Sequence, residues 1–500
     1  MPYVKIRAVK DRAKQPFLYK HRLVIGYTLL MIAFSFILIF LPSISPGGIN
    51  QDEINSVVEA SHISKSTLLG SGVVNLPYLL LQKASIYTFG ISLYSIKLPS
   101  IIVGVFSGLF IILLLNRWFK NDVAIIGSIL TTLSAGFLTL AGIGTPTIMY
   151  IFWLTFILWL GSKIVGNKKP GIVLTTAFMA AIGLSLYTPL LIYVTVAIAM
   201  AGLIHPHLRF ALKKCKPAQS IIGLLTFILC VTPLVISCFR QPEDLYTLGF
   251  MKDFSFETYL SNIANAFAPF FSFSIIYDTT YLAPIFGLAT VALIIIGGLA
   301  SIGKLFTSRN SVVGMLIIFS ILISGLNKSA AISIVVPIAI ITAAAIESII
   351  AKWFSLFPEN PYAHILGAAP VACVTLIIVI SGLSHFIYGY HYSPRISENF
   401  NNDITLINKH LEPGTVLVID DAEKNNEFYS LFGKYNSLTV TLELPQRIET
   451  PVAYLGGPSD ETEALDLKQI ITSPKSRNSD RLYIYEKSVP ESTEEEKGEE

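Results

Sequence analysis

The sequence predicts an all-α polytopic membrane domain of about eleven transmembrane helices, followed by a small C-terminal α/β domain. Three observations carry this. Of 500 residues, 53% are hydrophobic and 14% charged, where soluble globular chains hold roughly a quarter charged residues. Apolar runs recur from Leu23 to Phe386, many of them near the ~20 residues that cross the hydrocarbon core. Beyond Phe386 the composition turns polar. A formal net charge of +3 gives no argument for a nucleic-acid partner, so the placement of each charge matters more than the sum.

Residues 1–22 form a basic N-terminus, with Lys5, Arg7, Lys10, Arg12, Lys14, Lys20 and Arg22. The run that follows, 23–42, is too long for the core of a secretory signal and no small-x-small cleavage site comes after it. It reads as the first span. Further spans fall near 96–116, 122–141, 146–164, 171–189, 190–204, 218–238, 284–303, 311–326, 330–350 and 365–388. Between 171–189 and 190–204 only Tyr187, Thr188 and Pro189 intervene, and a single proline-kinked helix is the competing reading. Cytoplasmic loops are enriched in Lys and Arg. The turns at 117–120, 163–169, 209–216, 304–309 and Lys352 carry such residues on alternate sides. This places the N-terminus in the cytoplasm and the C-terminal region outside, in a multi-pass protein of the plasma membrane.

Within the membrane domain 23–388, two long loops face outward, 43–95 and 239–283. The first is polar at its start and broken by Gly48, Gly70, Gly72 and Pro77, yet 76–94 is strongly apolar, as expected of helices at the outer membrane surface. Residues 389–490 form the α/β domain. Strands are expected at 415–419, 438–442, 452–455 and 481–485, with a helix at 426–435. Residues 491–500 are an acidic, disordered tail. The cysteines Cys215, Cys230, Cys238 and Cys373 lie in or beside apolar runs and suggest neither a disulfide framework nor a zinc site.

The first outer loop holds the densest chemistry. After the breaker run Ser45-Pro46-Gly47-Gly48 comes Asn50-Gln51-Asp52-Glu53, then Asn55 and Glu59. Asn50 fits an N-cap with Glu53 three residues on, a capping box, and Asp52 in the first turn faces the positive end of the helix dipole. On a functional reading the same acids are catalytic: Asp52 or Glu53 at the mouth of a membrane domain supplies a general base for an acceptor hydroxyl. Asp52, Asn55 and Glu59 share one helical face, whereas Glu53 points elsewhere.

These residues resemble those of the GT-C glycosyltransferases of the protein O-mannosyltransferase and aminoarabinose-transferase type. The resemblance rests on Asp52-Glu53 after the first span, Phe89-Gly90-Ile91-Ser92, Ile96-Lys97-Leu98-Pro99-Ser100, Leu186-Tyr187-Thr188-Pro189 and Arg240-Gln241-Pro242. It implies a GT-C-like fold and transfer of a sugar from a polyprenyl-phosphate donor. The chain departs from the family in three places. Asn75-Leu76-Pro77 stands where Lys-Pro-Pro or His-Pro-Pro is frequent, Lys97 replaces an Arg, and Gly144-Thr145-Pro146-Thr147 offers hydroxyls where many relatives place an acid.

A lipid-phosphate leaving group calls for fixed positive charge, which stabilises it more as the glycosidic bond breaks. Lys97, at the family's basic position, is the first candidate for the donor phosphate and Arg240 the second. Lys83, Lys252 and Lys328 are further outer-side cations, each equally readable as a side chain snorkelling to headgroups. Glu59 is a helper on the Asp52 face. No metal-ligand set is identified, since His62 stands alone in the first loop and His385 and His391 flank the last span; a divalent-metal requirement is left open. Asp278 reads as lining loop 239–283 or as a solvated turn. The expected reaction is an inverting glycosyl transfer from a polyprenyl-phosphate-linked sugar to an acceptor hydroxyl at the outer face. The alternatives are a lipid-linked saccharide flippase, whose internal repeats are not evident, and an inactive cell-envelope assembly factor.

Overall fold

The computed structural model describes residues 17–44, 48–64, 72–167, 170–249, 255–271, 288–357, 361–392, 404–419, 425–442, 451–455, 465–472 and 482–487. The basic residues before Phe17, Lys252, Asp278 and the acidic tail lie outside them. Helices in chain order are α1 Phe17–Ile44, α2 Gln51–His62, α3 Leu76–Phe89, α4 Leu93–Trp118, α5 Asn121–Thr132, α6 Ala135–Gly142, α7 Met149–Gly166, α8 Ile172–Ser185, α9 Leu191–Ile204, α10 Pro206–Lys213, α11 Pro217–Arg240, α12 Pro242–Leu248, α13 Phe256–Phe271, α14 Leu288–Ile302, α15 Ser308–Leu326, α16 Val335–Leu356, α17 Pro361–Tyr392, α18 Ile404–His410 and α19 Asn426–Asn436. The strands are β1 Val416–Ile419, β2 Thr439–Thr441, β3 Val452–Leu455, β4 Leu465–Ile471 and β5 Leu482–Lys487. The chain divides into two compact units. One holds Met1–Leu41, Lys65–Pro77 and Ser100–Ile387, the other Pro42–Ser64, Tyr78–Pro99 and Tyr388–Glu500.

The first unit is the membrane body. Six of its helical segments are long and apolar enough to span a bilayer: Lys20–Phe40, Leu93–Trp118, Pro146–Gly166, Pro217–Arg240, Ser308–Leu326 and Ala330–Leu356. The pair α5 and α6, bent by 56°, makes a seventh if it crosses as one span, and Ile172–Ser185, Leu191–Ile204, Ala289–Ile302 and Ala369–Ser384 are shorter apolar helices. Among the described residues, each of the eleven apolar segments read from the sequence coincides with helix, though only some have full spanning length. Helices α8 and α9 are separate. Leu190 between them sits in the left-handed region at φ 60°, where the chain turns back, and its N–H donates to the Leu248 carbonyl at 2.7 Å.

Without a hydrophobic drive between helices in lipid, small residues set how closely they pack. An added Cβ on Gly183 would come 2.9 Å from the Cβ of Cys230, which is how α8 lies against α11. On Gly297 it would come 2.0 Å from the Ile341 carbonyl oxygen, so α14 and α16 meet almost backbone to backbone.

The second unit is a five-stranded mixed sheet of order β2-β1-β3-β5-β4. β1 pairs in parallel with β2 and β3, while β5 runs antiparallel to β3 and β4. Four strands fall where the alternation placed them. The fifth, β4, was not expected: its run Leu465–Ile471 is exposed over most of its length and carries an irregularity between Leu467 and Gln469, so it offers little apolar alternation to read. Strand residues alternate between two buried clusters. Leu417, Ile419, Ala453 and Ile484 face one side, and Val418, Val452, Tyr454, Tyr483 and Tyr485 the other.

The first of these clusters joins segments that are far apart in sequence. Ile54 and Val57 of α2, Ile86 of α3, and Ile91, Leu93 and Ile96 pack with Phe428, Tyr429 and Phe432 of α19. Burying an aromatic such as Phe428 or Phe432, both 0% exposed, contributes about 1.5–3 kcal/mol. The helices within 43–95 and the C-terminal sheet therefore share one core, where the sequence places 43–95 and 389–490 in different domains.

Candidate functional site

Helix α2 starts as its sequence dictates. The Asn50 side chain accepts from the Glu53 N–H at 2.7 Å, and the Glu53 carboxylate accepts from the Asn50 N–H at 3.0 Å. The expected capping box is complete. Ile54, Val57 and Ala60 turn inward, while Asp52, Asn55 and Glu59 all lie exposed on the opposite face, as helical spacing requires.

Glu53 does more than cap. Its other carboxylate oxygen lies 3.6 Å from the Lys97 ammonium, and the two side chains are 0% and 1% exposed. Buried charges of this kind persist only when paired and hydrogen-bonded. The pair ties the N-terminal turn of α2 to the first turns of α4. A second buried tie joins α2 to α3, with the Ser56 hydroxyl donating to the Gln82 side chain at 2.5 Å.

Lys83 is half-buried, and its ammonium donates to the carbonyls of Ser61, at 3.4 Å, and Ile63. These carbonyls sit at the C-terminal end of α2, where a cation satisfies groups left without helical partners and meets the negative end of the dipole. Arg240 belongs to the other unit, exposed in the last turn of α11.

The exposed face of α2 borders a pocket of about 420 Å³ lined by Ile54, Asn55, Val58 and Glu59 with Asn425, Asn426, Glu427 and Phe428. The Gln51 amide bridges its rim, donating to Asn55 at 3.1 Å and Asn425 at 2.9 Å, and His62 pairs with Glu427. Surrounding protein desolvates the Asp52 and Glu59 carboxyls and pushes both up from their ordinary values of 3.8 and 4.5. Acids poised closer to neutrality are better general bases.

The structure thus gathers Asp52, Glu53, Glu59, Lys83 and Lys97 in one unit and leaves Arg240 in the other. Sequence reasoning missed the wall formed by Asn425–Phe428, because nothing local ties those residues to α2. It also missed Asp244, which is buried, takes the Ser237 hydroxyl bond and accepts from the Gly72 N–H at 3.3 Å. Its place two residues past the Arg240-Gln241-Pro242 stretch was the available signal. At the position lacking an acid, the Thr145 and Thr147 hydroxyls bond each other at 3.0 Å, and Ser100 of the Lys97–Ser100 stretch donates to the Thr145 carbonyl at 3.2 Å. Among the described residues no three His, Cys, Asp or Glu side chains come together to hold a metal.

A bundle of apolar helices joined to a small C-terminal sheet, in a multi-pass membrane protein, is a fold of the GT-C type. Residues 76–236 match the family described as dolichyl-phosphate-mannose-protein mannosyltransferase. The apo structure of ArnT from Cupriavidus metallidurans is similar over 92% of this chain and 98% of its own, with a TM-score of 0.55 at 12% identity. The undecaprenyl-phosphate-bound form of that protein aligns over the same shares at 11% identity and a TM-score of 0.49. The oligosaccharyltransferase of Archaeoglobus fulgidus, in its apo form, covers 85% of this chain and 65% of its own at 12% identity and a TM-score of 0.47. No curated protein matches the chain.

Proposed function

We propose that this protein transfers a sugar from a polyprenyl-phosphate-linked donor to an acceptor hydroxyl at the outer face of the membrane, with Asp52 as general base. The acceptor oxygen forms a bond to the anomeric carbon, the bond from that carbon to the phosphate oxygen breaks, and polyprenyl phosphate leaves with the electron pair. Asp52 takes the acceptor proton. Displacement in one step inverts the anomeric centre.

One observation carries the choice of Asp52. Glu53 is committed to the capping box and to Lys97, while Asp52 stands on the exposed face with Asn55 and Glu59, beside a pocket that Glu59, Asn425, Asn426 and Glu427 help to line. Glu59 and the amides of that pocket suit an acceptor rich in hydroxyls. Arg240, exposed in the last turn of α11 in the membrane unit, stays a candidate for donor phosphate on the resemblance alone. Lys97, 1% exposed and opposite Glu53, acts by holding α2 in place, and Lys83 by holding its far end. The alternation of Lys- and Arg-rich turns supports a cytoplasmic N-terminus and an extracytoplasmic C-terminal unit.

The test is a donor screen with purified protein, reading release of polyprenyl phosphate by mass spectrometry. Release that depends on acceptor and is lost in Asp52→Asn supports the reading. Donor crossing the bilayer intact identifies a flippase instead, and no turnover with any donor leaves an assembly factor.

A further inference from the structure

The membrane unit contains a cavity of about 840 Å³ whose lining includes none of the candidate transfer residues. It is walled by Ile157, Phe178, Met179, Ile198 and Leu203, and bordered by Arg117, Cys215 and Arg309. Along α4, Lys97 lies in the first turns and Arg117 in the last. The cavity therefore borders the C-terminal end of α4.

Its two arginines differ. Arg309 is spent inside the protein: its guanidinium faces Glu347 at 3.4 Å, donates to the Trp118 carbonyl at 3.2 Å and lies over the Phe119 ring. Arg117 is exposed. Its guanidinium rests against Gly166, the last residue of α7, so closely that a Cβ there would fall 1.8 Å from Nη2. A cation thus stands at the rim of a space whose interior is apolar. Lys163, Lys213, Lys214, Lys216 and Lys304 add positive charge to the turns at this same end of the helices. Basic pockets between transmembrane helices hold anionic headgroups, and an apolar interior of this size takes a chain rather than a hydrated ion.

We propose that this cavity is a binding site for an anionic glycerophospholipid, with an acyl chain inside and the phosphate on Arg117. Cys215 at the border reports occupancy. The experiment places the full chain in nanodiscs of phosphatidylcholine, with or without phosphatidylglycerol, and measures alkylation of Cys215 by neutral N-ethylmaleimide using site-resolved peptide mass spectrometry. Phosphatidylglycerol is expected to slow Cys215 alkylation about fivefold, the factor matching about 1 kcal/mol per basic residue near a lipid surface. Arg117→Gln should abolish that dependence and Arg117→Lys should keep it. Ala199→Trp fills the cavity without touching the charge, and should remove the dependence with Arg117 intact. Equal rates in both lipids overturn the proposal. So does protection by inorganic phosphate alone, which assigns Arg117 to a free ion, and so does stronger protection by polyprenyl phosphate at equal amount, which assigns the cavity to the donor. Glycosyl transfer is not the readout, so failure here is separable from failure of the proposed reaction.

Discussion

Glu53 and Lys97 set opposite charges 3.6 Å apart with both side chains withdrawn from water, and Glu53 at the same time accepts the Asn50 N–H that opens α2. A helix start and an ion pair are thus locked by one carboxylate. Its rotation about its own axis is fixed as a result, and with it the outward direction of Asp52.

Lys97→Met leaves Glu53 as an uncompensated buried charge and should destabilise the protein by about 3–5 kcal/mol. Adding Glu53→Gln removes the charge while keeping a side chain that completes a capping box, so the double variant should recover most of the loss. Thermal unfolding in detergent checks this. A Lys97→Met protein of unchanged stability but weakened donor use would return Lys97 to the donor phosphate.

Asp52→Asn keeps size and much of the hydrogen bonding but removes basicity. Turnover should fall about 10²- to 10⁴-fold, or roughly 3–5 kcal/mol of barrier, with the protein still folded and donor binding little changed. Near-normal turnover in Asp52→Asn, with a folded but inactive Glu53→Gln, would exchange the two roles.

Much of this was legible before the structure because it is local. A capping box spans four residues, a helical face repeats every three to four, and an apolar span declares itself by length; Asn50, Glu53, the Asp52–Glu59 face and the apolar segments follow from such short-range rules. The partner of Lys97 was not legible, since a lysine opening an apolar helix has the same sequence appearance whether it faces headgroups or a buried acid. Nor was the union of α2 and α3 with the C-terminal sheet. That core forms between segments more than three hundred residues apart, from Ile54 to Phe428, and no periodicity within either segment names the other.

Lys83 was read as a candidate for the donor and is found at the carbonyls of Ser61 and Ile63. Lys83→Met should therefore lower stability by about 1–2 kcal/mol, the worth of a partly buried cation at a helix C-terminus, and leave donor KM unchanged. A raised KM at unchanged melting temperature would reverse that assignment.

Orientation is tested at two residues. Cys215 lies in the Lys-rich turn between α10 and α11, and Ser437 is exposed just past α19. In intact cells an impermeant thiol reagent should modify Ser437→Cys and spare Cys215. The reverse pattern would invert the topology.

The pH dependence of stability and of turnover should run in opposite directions. Desolvation raises the Asp52 and Glu59 carboxyls above 3.8 and 4.5 in the folded protein, so the native state holds these protons more tightly than the unfolded chain. Their contribution to stability is fully present below the unfolded values and is lost as pH rises through the folded ones. Asp52→Asn and Glu59→Gln should each flatten that loss, seen as a melting temperature that gains on wild type as pH rises through this window. With Asp52 as the proposed base, catalysis needs the opposite form of its carboxyl, because a base accepts a proton only when ionised. Wild-type kcat should therefore fall as pH is lowered, with its acid limb above 3.8. The residual activity of Asp52→Asn should lack that limb, while Glu59→Gln should keep it. A limb that persists unchanged in Asp52→Asn would assign the base to another group.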